Sequence, residues 1–134
     1  MSFSITLYAV TNIKDAKWEV DEIVTLSGKT GLLLVNWFYT FYHKQNLNYL
    51  EESLDFVMFY IDEIVTLHEH LIQAMEGQTH LMPVYPLTYD NIFYIEPESK
   101  EYYRIVTQLY DCIHNLFYEQ NTFNDGIFFY RASW

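Results

Sequence analysis

His68, Glu69 and His70 stand in a row, with His80 ten residues further on, and histidines beside a carboxylate are the usual donors of a zinc site. On a helix, however, residues two apart point to different faces, and zinc pairs stand at i and i+4. The three histidines therefore read as surface or interface residues, and no metal is expected. Ser27-Gly28-Lys29-Thr30 resembles the end of a phosphate-binding loop, but that loop needs an earlier glycine at position 23, where this chain has Ile23. Cys112 and His114 are again two apart, a poor geometry for activating a thiol, so Cys112 reads as a packed side chain. Adjacent carboxylates such as Glu51-Glu52 and Asp62-Glu63 fit a solvated acidic face without acid–base chemistry. Tyr85, Tyr89, Tyr94, Tyr102 and Tyr103 could stack on bases, but such platforms sit in basic grooves. Tyrosine equally suits protein interfaces, where an apolar ring and a polar tip act together.

These residues need elements to hold them. Ser4 to Val10 is β-branched and aromatic and reads as a short strand. Ala16 to Leu26 places Trp18, Val20, Ile23, Val24 and Leu26 at mixed spacing, with Glu19, Asp21 and Glu22 as a solvated face, and reads as a helix. Leu32 to Tyr42 is apolar on almost every side, the pattern of a buried central helix. From Leu47 to Glu76 the stripe Leu50, Leu54, Val57, Ile61, Ile64, His68, Leu71 and Met75 predicts one long amphipathic helix. Its outer face carries Glu51, Glu52, Asp55, Asp62, Glu63 and Glu69, and Gly77 is placed to stop it. Pro83 and Pro86 make residues 78–95 an ordered, non-helical loop over the core. Pro97 opens another helix, with Tyr102, Val106, Leu109, Ile113, Leu116 and Phe117 facing inward, running to Glu119. After Asn124-Asp125-Gly126, the tail Ile127 to Ser133 reads as a strand that pairs with the first. The hexapeptide DEIVTL occurs at Asp21–Leu26 and again at Asp62–Leu67, but the flanks differ and no repeat architecture follows.

The fold class expected is mainly α (α+β): three or four packed helices, with a small sheet formed by the chain termini, in a single acidic domain spanning 1–134. The 13 Tyr, 10 Phe and 3 Trp supply enough apolar area to exclude disorder. The apolar run from Gly31 to Phe41 is too short to cross a bilayer, and no basic, cleavable leader precedes it, so no membrane association or secretion is expected. One cysteine excludes an internal disulfide framework. Seven basic against 18 acidic residues give a net charge of −11, which repels nucleic acid and favours a basic protein as partner.

Val35-Asn36-Trp37-Phe38, the acidic helix and the proline-containing aromatic segment follow one another in a particular order. Glu101-Tyr102-Tyr103 then opens a helix, and the chain ends Tyr130-Arg131-Ala132-Ser133-Trp134. This order resembles a family of small uncharacterised proteins of phages and prophage-bearing bacteria. It departs from the family's pattern at Phe93 to Pro97, where a Phe-Phe-Gly-Ser stretch is usual. The resemblance implies a mobile-element origin and a bacterial cytoplasmic setting, with no activity to carry over.

Charge, motifs and resemblance together lead to the expectation of a non-enzymatic acidic binding protein with no cofactor. It would inhibit a basic nucleic-acid-handling defence protein through Glu51, Glu52, Asp55, Asp62, Glu63 and Glu69. An immunity protein against a nuclease toxin would need the same surface. A small enzyme or ligand-binding domain would instead use residues Tyr85 to Tyr94 with Arg104 or Arg131 around an aromatic pocket. Self-association through the Leu50 to Met75 stripe is the remaining expectation.

Overall fold

A computed structural model describes residues 3–14, 17–42, 56–83, 95–96, 98–120 and 126–133. The chain order is β1 (Ser4–Lys14), β2 (Lys17–Ser27), α1 (Gly28–Trp37) with a π-turn at Phe38–Tyr42, β3 (Val57–Tyr60), α2 (Ile61–Met75), a 3-10 turn at Thr79–Leu81, α3 (Lys100–His114) with a π-turn at Asn115–Glu119, and β4 (Ile127–Ser133). The four strands form one antiparallel sheet in the order β2-β1-β4-β3.

This overturns the mainly helical expectation: the sheet is the centre of an α+β fold, and the paired termini are its two middle strands. The alternation of β1 explains why. Phe3, Ile5, Leu7 and Ala9 are buried, while Ser4, Thr6 and Tyr8 between them are half-buried. β4 alternates in the same way, with Phe128, Tyr130 and Ala132 buried. Period two puts one face of each strand into the core and leaves the other towards solvent. Pairing Tyr8 with Phe129 and Leu7 with Tyr130 keeps the two inner rows together.

Two predicted helices change identity. Residues Lys17–Ser27 form β2, not a helix, because pairing with β1 satisfies their backbone and aligns Leu26 with Ile5 and Val24 with Leu7. The helix expected over Leu47 to Glu76 starts only at Ile61. Val57–Tyr60 is a strand that aligns Phe59 with Phe128 on β4, and the four- and three-residue steps of Val57, Ile61 and Ile64 cannot distinguish that outcome from a helix. Leu47 to Asp55, including Glu51, Glu52 and Asp55, lies outside the described residues, as do Asn124 and Asp125, Pro86, Pro97, and Tyr85, Tyr89 and Tyr94. The buried stripe of α2 is Ile64, Leu67, Leu71 and Ala74, rotated from the one expected, so His68 and Met75 sit at its margin. Gly77 takes φ 110° just past the helix end, a left-handed conformation that glycine adopts without strain.

α1 is the innermost helix, buried from Gly31 through Trp37, and it packs against β1, β2 and α3. A Cβ on Gly31 would lie 2.5 Å from the Leu26 carbonyl oxygen and 3.3 Å from the Phe3 ring. Glycine is therefore what lets the helix start so close to the end of β2. α3 is capped by Ser99, whose Oγ accepts from the Tyr102 N–H at 3.1 Å. Its inner stripe is Tyr102, Ile105, Val106, Leu109 and Ile113. Gly31→Ala is expected to cost about 1–3 kcal/mol, the usual cost of overpacking a filled core. A urea unfolding midpoint shifted downward at unchanged slope is the measurement that shows it.

Candidate protein-binding surface

Of the six carboxylates expected at a partner surface, the three within the described residues lie on α2 but play different parts. Glu63, half-buried, accepts the Tyr60 N–H at 2.8 Å and so secures the start of the helix. Asp62 and Glu69 are exposed. Seven residues apart, they stand two turns and about 10 Å apart along one face of the helix. Asp62, Glu63 and Thr66 also edge a cavity of about 210 Å³ with Trp37 and Phe41. Trp37 is only 1% exposed, so the aromatic surface that cavity offers is that of Phe41, 37% exposed.

The histidines diverge as their spacing requires. His70 Nδ1 accepts the indole N–H of Trp37 at 3.0 Å and packs edge-on against Phe41. That bond needs an unprotonated Nδ1. The pKa of His70 is accordingly lowered, mainly by burial and further by His80, against the opposing pull of Glu69. His68 Nε2 meets His114 Nδ1 at 3.0 Å, and His114 Nε2 meets Glu119 Oε1 at 3.0 Å. With Glu119 ionised, both imidazoles can be neutral: His114 donates to the carboxylate and accepts from His68. Tyr110 and Tyr118 flank the pair. Partial burial, then the neighbouring His114, lowers the pKa of His68. Among the described residues no three metal-ligating groups converge.

The other motifs have structural partners. Lys29 donates to Glu101 at 2.6 Å and Thr30 to Gln108 at 3.3 Å, so the Ser27 to Thr30 segment ties α1 to α3. Burial raises the pKa of the Cys112 thiol, which keeps it from acting as a thiolate. Tyr102 is no stacking platform: it is buried, its hydroxyl donates to the carbonyls of Thr79 and Met82, and burial pushes its pKa far up.

Sequence reasoning missed the open face of the sheet. Trp18, Val20 and Phe56 are 43%, 40% and 50% exposed, and with Phe129 they line a groove of about 240 Å³. Trp18 and Phe56 both pack on Phe129, Tyr8 touches Phe56, and the Arg131 guanidinium lies 5.5 Å from the centre of the Phe56 ring. β4 pairs only with Ser4 to Ala9 of β1. The rest of the β1–β2 hairpin therefore projects beyond it and exposes Ile13 and Trp18. Glu19, Asp21 and Glu22 are exposed on β2. Among the described residues one carboxylate, Glu101, is held by a lysine or arginine, and Glu119 meets a histidine. The period-two run from Lys17 to Asp21 was the available signal, obscured by the three- and four-residue steps from Val20 to Ile23 and Val24.

Comparison with protein-family models, curated proteins and solved structures gives no match.

His68 and His70 bind protons less readily in the folded chain than at histidine's ordinary 6.5. Their contribution to stability is complete above 6.5 and is lost as pH falls towards the lower folded values, because there the unfolded chain binds more protons. The melting temperature of the wild type should drop through that window, and His68→Gln should give a shallower drop. Equal slopes in a pH series of thermal melts would remove His68 from the account.

Proposed function

We propose that this chain is a non-enzymatic acidic binding protein of mobile-element origin. It acts in a bacterial cytoplasm by covering a basic nucleic-acid-handling defence protein, in the manner of an anti-CRISPR or anti-restriction inhibitor. The observation that carries this reading is an exposed aromatic groove beside carboxylates with no cationic partner among the described residues: Trp18, Val20, Phe56 and Phe129 next to Glu19, Asp21 and Glu22. The two parts have complementary roles. Unpaired carboxylates attract a basic surface and speed encounter, while desolvated aromatic anchors retain it. Asp62 and Glu69 on α2 extend the acidic field. A protein that occupies a basic nucleic-acid site competes directly with the nucleic acid, because both satisfy the same cations. The biological setting rests on the resemblance of the sequence layout to small phage proteins.

The test is displacement. The protein is titrated into a complex between a basic defence effector, captured from the host, and a fluorescent duplex. The expected result is release of the duplex, weakening as salt rises. The triple variant Glu19→Lys, Asp21→Lys, Glu22→Lys should lose about ten-fold or more in potency, and Trp18→Ala a similar amount with less change in salt dependence. Full potency in both variants, with unchanged melting temperatures, would sink this reading.

A further inference from the structure

We infer that the partner is held by strand addition: an extended segment alternating basic and apolar residues pairs with the outer edge of β2 along Lys17 to Glu22. This mode rests on the proposed function and specifies how its surface is used.

The backbone supplies the first argument. Among the described residues β2 ends the sheet, and every residue from Lys17 to Glu22 is exposed. In an antiparallel ladder, alternate residues of an end strand turn their N–H and C=O away from the neighbouring strand, ready for another chain. Between Lys17 and Glu22 the ladder with β1 has one irregularity, the extra Thr11 on β1 opposite Glu19 and Val20, so the added residue lies on the inner strand and not on the edge. The register with β1 runs from Lys14↔Lys17 to Tyr8↔Glu22, and the extra residue that β2 itself carries is Ile23, beyond that stretch. Six residues of an unbulged edge match the length of an ordinary strand.

The side chains supply the second argument. Trp18 packs on Phe129, whose partner across β1 is Tyr8, so Trp18 and Val20 stand on the open face and line the groove. By the strand period, Lys17, Glu19 and Asp21 stand on the other face. An added strand therefore meets two different rows. Its residues beside Trp18 and Val20 fall against an apolar groove that also includes Phe56 and Phe129. Its alternate residues fall beside Glu19 and Asp21, which lack a cationic partner among the described residues, and opposite charge at cross-strand positions is favourable. The complement is a lysine- or arginine-bearing strand with valine-, isoleucine- or aromatic-type residues between. A second copy joined through the same edge is disfavoured, because it would set Glu19 and Asp21 near their own counterparts.

The experiment uses the full chain and a ten-residue synthetic peptide alternating lysine and valine, with amide hydrogen exchange and titration calorimetry as readouts. The expected result is binding with slowed exchange at alternate amides of Lys17 to Glu22. A peptide with one central valine replaced by proline, which removes a backbone donor, should bind about ten-fold or more weakly. Glu19→Lys with Asp21→Lys should lose the lysine peptide and gain a glutamate–valine peptide, a reversal that an unfolded variant cannot show. Failure of the lysine peptide to bind overturns strand addition, as does equal affinity for the proline peptide or protection confined to α2. Protection at Lys17 to Glu22 that rises with protein concentration without peptide overturns it in favour of a second copy. Each of these results leaves the displacement test untouched, so failure of the binding mode is distinguishable from failure of the proposed function.

Discussion

A helix buried from Gly31 to Trp37 must be enclosed on all sides, and that requirement organises the described fold. α1 carries Leu32, Leu33, Leu34 and Val35 in succession, each at most 1% exposed, so no single amphipathic partner could cover it. The sheet covers one side through β1 and β2, and α3 covers another. The π-turn that follows places Phe38 in stacked contact with Tyr130 and close to Phe59, which locks the helix end to β3 and β4. The absence of a Cβ at Gly31 makes the close approach to Leu26 possible. Such enclosure gives the large, contiguous apolar burial that dominates folding free energy.

The interior is filled mainly by apolar side chains, with Asn36 buried among them. The Tyr102 hydroxyl donates inside to the Thr79 and Met82 carbonyls, and the other side-chain contacts that join elements fall nearer the margins of the layers. Lys29 and Glu101 join α1 to α3, Trp37 and His70 join α1 to α2, and the His68–His114–Glu119 chain joins α2 to the end of α3. Each of these groups keeps some contact with water or an unprotonated acceptor, so none buries an unpaired charge. The histidine contacts thus fasten helices to one another, a structural use of residues whose spacing had invited a metal reading.

The same layering decides where an outside molecule can be met. The helices occupy one face of the sheet, and the other face keeps Tyr8, Trp18, Phe56 and Phe129 together. No single stretch of sequence contains that patch: its members come from β1, β2, the residue before β3, and β4. Acidic groups on β2 border it, because among the described residues β2 is the end strand and its outer edge has no further strand beside it. Glu22 shares the open face with the aromatic groove, while Glu19 and Asp21 stand on the reverse face of the same strand, so the sheet order brings acidity and aromatic exposure to one edge.

The sequence by itself determined the local elements whose pattern admits one reading: the alternating strand at Ser4 to Val10, the largely apolar helix at Leu32 to Trp37, the stripe of α3 and the helix stop at Gly77. It also determined the acidic charge and that His68 and His70 diverge. What only the tertiary structure decided is clearest in DEIVTL. At Asp21–Leu26 the six residues are strand, and at Asp62–Leu67 they are helix. In the first place β1 lies alongside to complete a ladder, with Leu26 beside Ile5 and Val24 beside Leu7. In the second Glu63 caps the helix start, and Ile64 and Leu67, three apart, turn the same buried face inward. Identical side chains have identical propensities, so the difference of less than a kilocalorie per residue that separates helix from strand is overruled by what each copy is packed against.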